Sequence, residues 1–178
     1  MKKIHIILIL ASNLILIGGA VAWFYLNTPK VGYIKIQSVY AEFTLKKELE
    51  KKIISVTSAR KNILDSMEIK LKAMNLAFKN IKDNKVLEQK KEEFKEESEQ
   101  YFLKKKSFTE DNERTRKDYE DQILKQLNQY IYDYGKQHEL DFIYGASGNG
   151  SMMYGSDKYD ITEAILNYVN ECYSGGRK

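Results

Sequence analysis

Between Tyr33 and Tyr134 the chain has neither glycine nor proline, and in all 178 residues it has one proline, one cysteine and two histidines. A lone Cys172 excludes an intrachain disulfide. Two histidines, with no Ser/His/Asp arrangement and no ligand cluster, argue against an enzyme, a metal or any other cofactor. Gly145, Gly148 and Gly150 lack the Lys-Ser/Thr pair of a phosphate loop, so they read as a turn. The formal net charge is only +4, two of which are Lys2 and Lys3, too balanced to point to nucleic acid. With 30% charged residues and a mean hydropathy of −0.53, there is too little apolar surface for one globular core.

The apolar residues that do occur are concentrated first at the N-terminus. After Lys2 and Lys3, residues 4–26 are interrupted by only three polar side chains, His5, Ser12 and Asn13. Residues 1–26 therefore form either a signal peptide, with Ala20 and Ala22 as an A-x-A site, or a retained anchor helix with Trp23, Phe24 and Tyr25 at the membrane interface. Both readings export Asn27 onward, and the second tethers it to the inner membrane.

Three zones follow. The first opens after Pro29 with a short, largely buried strand around Val31–Gln37, after which Ser38 is a candidate helix N-cap. The second, residues 46–135, is rich in Lys, Glu, Leu, Gln and Met and has no helix breaker. Apolar residues at Ile53, Val56, Ile63, Met67, Leu71, Met74, Phe78 and Ile81 keep a three-and-four spacing, with Arg60 in one apolar slot. Leu87, Phe94, Tyr101 and Phe108 then recur every seven residues. One helix of this length is excessive, and Asp83-Asn84-Lys85 is the best turn, which gives a hairpin of two arms of about 45 residues turning near 83–86. Lys51–Lys85 holds nine bases and three acids, and Glu88–Asp121 twelve acids and nine bases, so antiparallel pairing sets basic beside acidic.

The third zone, residues 136–174, reads as a strand at Leu140–Tyr144, a glycine turn, a second strand at Ser151–Tyr154 and a helix capped by Asp160 with Glu163 in a capping box. Ile161, Ile165 and Val169 form its apolar face. Residues 27–45 and 136–174 together make a small head, so the fold class is α+β: a strand-containing head with a long antiparallel coiled-coil hairpin.

The order of these pieces, with "VGYIKIQSVYAEF" ahead of the hairpin and "FIYGASGNGSMMYGSDKYDITEAILNYVN" behind it, resembles the Skp/OmpH family of periplasmic outer-membrane-protein chaperones. The resemblance covers Val31–Asn170 and is most specific in "YGSDKYDIT". It implies a homotrimer in the periplasm of a Gram-negative bacterium, its strand bodies joined and its three arms hanging around a cavity that holds unfolded outer-membrane proteins without ATP. Such clients expose apolar bands and unpaired edges, and a sparse seam with flexible methionines offers them an adaptable surface. Candidate client contacts are Met67, Leu71, Met74, Phe78, Phe94 and Tyr101, although an antiparallel pair needs the same stripe as its seam. Lys79, Lys82, Lys85, Lys90 and Lys91 form a basic tip, either a solvated end or a contact for an anionic membrane or lipopolysaccharide. Val31, Tyr33, Ile34, Ile36, Ile161, Ile165 and Val169 are candidate head-assembly residues. The rival reading is a membrane-anchored coiled-coil scaffold of the cell envelope.

Overall fold

The computed structural model describes residues 13–21, 23–24, 27–148 and 150–176. Most of the expected signal or anchor core, residues 1–12 with 22 and 25–26, lies outside the described residues. Residues 13–21 are helical, and among the described residues no helix is long and apolar enough to cross a membrane.

The head begins with β1 (Val31–Lys35), which pairs in parallel with β2 (Phe142–Ala146) from Val31 opposite Phe142 to Lys35 opposite Ala146. A parallel pair cannot be a hairpin and needs a long crossover between its strands, which here is the entire arm. The second strand starts two residues later than its sequence suggests, because Leu140 N–H is still held by Gly135 O at 2.9 Å in the turn that follows the long helix. The expected strand at Ser151–Tyr154 is absent: residues 152–156 have no regular structure. The other edge of β1 is occupied by the start of the last helix instead, through a Tyr33–Asp160 bridge in which Ile161 N–H donates to Tyr33 O at 2.9 Å. Tyr33 also donates to Gly155 O and is covered on that face by Met152 and Gly155.

Helix α1 (Ile36–Glu42) starts directly off β1, two residues ahead of the Ser38 cap expected for it, and its N-terminus has no side-chain cap. It ends at Phe43, whose extended backbone (φ −66°, ψ 125°) separates α1 from α2 (Thr44–Ala77). No glycine or proline makes this break. Asn170 makes it: its Oδ1 accepts from Thr44 N–H at 2.8 Å and from the Thr44 hydroxyl, and its Nδ2 reaches Glu42 O. One amide thus satisfies a backbone group at each of the two helix ends that meet at the kink. The Phe43 ring is fully buried, edge-on to Tyr130 at 6.3 Å and Tyr173 at 5.9 Å.

Helix α2 ends in a single 3₁₀ turn, Phe78–Asn80, and α3 (Asn84–Gln137) begins after Asp83. The hairpin turn is therefore Phe78–Asp83, a few residues ahead of 83–86, because Asp83 is the N-cap of α3 rather than the turn's centre: its Oδ1 accepts from Lys85 N–H and Val86 N–H. The arms are unequal as a result. At 1.5 Å per residue α2, with 34 residues, is about 50 Å long and α3, with 54, about 80 Å, the excess running down the head to the turn that feeds β2.

The last helix, α4 (Thr162–Tyr173), packs Ile165, Tyr168 and Val169 against the base of the arm. Asp160 holds its start as an Asx-type cap, accepting from Thr162 N–H at 2.9 Å and from the Thr162 hydroxyl; the Asp160 N–H is taken by Asp157 O, so no reciprocal bond from Glu163 forms. The Thr162 bonds, with Lys35 at 2.9 Å, pull the Asp160 carboxyl down to about 2. The core consists of Ile34, Val39, Phe43, Leu45, Leu49, Ile123, Leu127, Tyr134, Ile165, Tyr168 and Val169. It ends at Leu49 and Ile123, and among the described residues nothing beyond that level in the arm is fully buried.

Candidate functional site

The arm places half-buried and exposed apolar side chains on different sides of the same helices. Met67, Leu71, Met74 and Phe78 of the first arm are half-buried, as are Phe94 and Tyr101 of the second. At the tip Phe78 and Phe94 meet edge to face across the arms at 5.6 Å. Arg60, which interrupts the apolar spacing, bridges the arms midway: it donates to Asn112 Oδ1, lies 3.7 Å from Asp111 and covers the Phe108 ring at 5.4 Å. Lys70 and Glu97 form a second cross-arm ion pair. Between Lys51 and Asp121 the other ion pairs among the described residues join neighbours on one helix, so charge fixes the register at these two points.

The more accessible apolar surface is elsewhere. Ile54, Ile69, Leu76, Phe102 and Leu103 are each 62–67% exposed. At 100° per residue Ile54, Ile69 and Leu76 lie within about 60° of arc, on the flank of α2 away from Leu71. They were readable as surplus apolar residues one or two places off the seam, beside Ile53, Met67, Met74 and Tyr101. Near the turn a cavity of about 310 Å³ opens between the arms, lined by Ala73, Met74, Ala77, Phe78 and Ile81 with Lys90 and Glu93 at its rim.

At the tip, the five candidate lysines separate into two groups. Lys90 pairs with Glu93 at 2.6 Å and Lys91 with Glu88 at 2.7 Å. Lys79, Lys82 and Lys85 have no ion pair among the described residues. The uncompensated charge is therefore confined to the turn and the first turn of α3.

In the head, Ile34, Ile165 and Val169 are 0–2% exposed and Tyr33 is also buried, so these candidates pack within one chain, and Ile36 and Ile161 are packed against the same core. Val31 is half-buried at the start of β1. The exposed large apolar residues of the head among the described residues are Tyr132, Phe142, Tyr144, Met153, Tyr154 and Tyr159. Among the described residues no group of His, Cys, Asp and Glu could hold a metal ion.

A small head of parallel strands and packed helices, crossed over by a helical hairpin longer than the head itself, defines a class of long-armed α+β proteins. Residues 30–169 match the model of the family described as outer membrane protein (OmpH-like), and the chain belongs to that family. The fold is similar to the crystal structure of a candidate OmpH-like outer membrane chaperone from Caulobacter crescentus CB15, with a TM-score of 0.70 and 14% identity over 82% of this chain and 86% of the other. A comparison with curated proteins gives no match.

Proposed function

We propose that this protein is a periplasmic holdase of a Gram-negative bacterium, which keeps unfolded outer-membrane proteins from aggregating in transit and works as a homotrimer without ATP. The observation that carries the reading is the arm: some 50–80 Å of helix whose apolar side chains Ile54, Ile69, Leu76, Phe102 and Leu103 face solvent instead of a core. Ile54, Ile69 and Leu76 share one flank of α2, and such an apolar stripe supports a reading of the arm as a contact surface. Scattered along a rod rather than gathered in a pocket, it gives many weak contacts, which suits a client that must later be released with no energy source. Membership of the OmpH-like family and the likeness to a candidate outer membrane chaperone support the same reading. The test is whether the chain, without nucleotide, suppresses light scattering by an outer-membrane protein diluted out of urea; no protection at a threefold molar excess of chain contradicts it.

The unpaired Lys79, Lys82 and Lys85 fit a further contact of the tip with an anionic surface, a phospholipid bilayer or lipopolysaccharide. Near such a surface each lysine contributes about 1 kcal/mol, a term that weakens as salt rises. Replacing the three with serine is expected to reduce binding to anionic vesicles at least tenfold in co-sedimentation at low salt, whereas replacing the paired Lys90 and Lys91 has a smaller effect. Equal binding by the triple variant and the unaltered chain would leave the tip a solvated end.

A further inference from the structure

Residues 4–29 contain no Asp, Glu, Lys or Arg. Within this run residues 13–21, 23–24 and 27 are helical, and Leu14, Ile15, Leu16 and Ile17 are 63–75% exposed. Four consecutive side chains at 100° each face every side of a helix, and Trp23 and Phe24, 66–68% exposed, extend the same surface. A helix that docks in a protein groove needs one apolar face, whereas a helix apolar all round needs apolar surroundings on every side. Hydrocarbon supplies them, and residues 4–26 suffice, at about 1.5 Å each, for a core of about 30 Å. The helix also closes beyond the A-x-A site: Asn27 Nδ2 donates to Trp23 O at 2.8 Å and the Thr28 hydroxyl to Phe24 O at 2.6 Å. Ala20 ahead of the cut and Trp23 behind it are both helical, while proteolytic cuts concentrate in irregular segments.

We infer that this helix stays on the chain and lies in the inner membrane, which fixes the base of the head at the bilayer and directs the arms away from it. The inference rests on the periplasmic reading and is independent of holdase activity. Lys2 and Lys3 hold the start of the chain on the cytoplasmic side, while Lys30, the first charged residue after the apolar run, is paired with Glu139. The join to the head is short and held. Thr28, Pro29 and Lys30 alone separate the helix from Val31, a reach of about 10 Å. Lys30 N–H donates to Asp141 Oδ2 at 2.7 Å, Lys30 O accepts from Asp141 N–H at 2.8 Å, and Lys30 Nζ meets Glu139 at 2.8 Å. Glu139 makes that pair from left-handed backbone (φ 54°), which a residue other than glycine keeps only where its surroundings hold it. Topology then sets the direction of the arms. β1 enters the head at Val31, beside the turn that ends α3, and leaves at Lys35 toward α1 and α2. From the tip, α3 returns to that same turn over 54 residues, about 80 Å. The tip with Lys79, Lys82 and Lys85 is therefore the part of the arm farthest from the anchoring membrane, and an anionic surface that it meets is a different one.

The test expresses the full chain, tagged at its C-terminus, in a Gram-negative host, and reads its mass, its fraction and its exposure to protease. The expected product keeps residues 1–26, stays in the inner-membrane fraction through an alkaline carbonate wash, and is degraded by protease added to spheroplasts. A chain that begins at Trp23 and leaves with the periplasmic fluid, or a full-length chain that carbonate extracts, overturns the anchor and leaves the periplasmic reading. A full-length chain protected from protease in intact spheroplasts overturns both. The direction of the arms has its own readout. With Cys172→Ser as background, Gln137→Cys at the base and Asn80→Cys at the tip each carry a donor dye. The chains are reconstituted in vesicles of phosphatidylethanolamine and phosphatidylglycerol with an acceptor dye on the headgroups. Energy transfer from position 137 is expected to exceed that from position 80 at least fivefold, and equal transfer contradicts arms that point away from the membrane. No client enters either measurement, so a failure of holdase activity leaves both results standing.

Discussion

Replacing Ile54, Ile69, Leu76, Phe102 and Leu103 together with serine is expected to abolish most client protection while the melting temperature stays within a few degrees. Fully burying such a side chain contributes about 1.5–3 kcal/mol, and a loose, adaptable contact realises only part of that. At about 0.6 kcal/mol each, five contacts amount to ~3 kcal/mol, or a roughly hundredfold weaker complex. The folded chain loses little, because all five side chains are mostly in water already. Surface substitutions of this kind usually change stability by less than about 0.5 kcal/mol, and serine is close to isoleucine in helix propensity. Titration of an unfolded outer-membrane protein with each chain, followed by scattering, separates the two. Equal protection by the variant would move client contact to other residues. The contrasting variant, with Met67, Leu71 and Met74 changed to serine, cuts into the seam, so it is expected to loosen the arm itself and lower the helical signal.

Phe43→Ala has the largest expected effect on stability. The ring is fully buried, meets Tyr130 and Tyr173 edge-on, and sits where the chain passes from head to arm. Truncating a buried phenylalanine to alanine costs about 3–5 kcal/mol, a third or more of the stability of a typical domain. For a chain of this size that lowers the melting temperature by roughly 10 °C, read by circular dichroism. Phe102→Ala, which removes the same atoms from a 65%-exposed position, is the control and is expected to shift it little. A small shift for Phe43→Ala would mean that the joint can close over the space left by the ring.

The same residue shows where sequence reasoning reached its limit. Long helices, a hairpin and a small head built from both ends of the chain follow from the gap in glycine and proline and from the three-and-four spacing, because helix propensity and seam periodicity are local properties. The break at Phe43 is not local: it is made by Asn170, 127 residues further along the chain, whose amide replaces the bonds that two helix ends lack. The Ser151–Tyr154 segment has the residues of a strand, but a strand needs a partner edge, and the free edge of β1 is taken by Asp160 and Ile161 instead. Asp83 marked the turn because aspartate favours turns and N-caps alike, and its bonds to Lys85 and Val86 decide for the cap. At the candidate site, spacing located the seam, and it took the packed arms to separate the half-buried Met67, Leu71 and Met74 from the open Ile69 and Leu76. Likewise, counting lysines found the basic tip, while only the ion pairs of Lys90 and Lys91 narrowed it to Lys79, Lys82 and Lys85.

The most direct test of the account is the stoichiometry of protection. An outer-membrane protein is diluted from urea into increasing amounts of the chain, with no nucleotide present, and the light scattering is followed. A holdase whose three arms enclose one client predicts that scattering falls steadily and reaches its floor near three chains per client. Scattering that is unchanged at and beyond that ratio would contradict it.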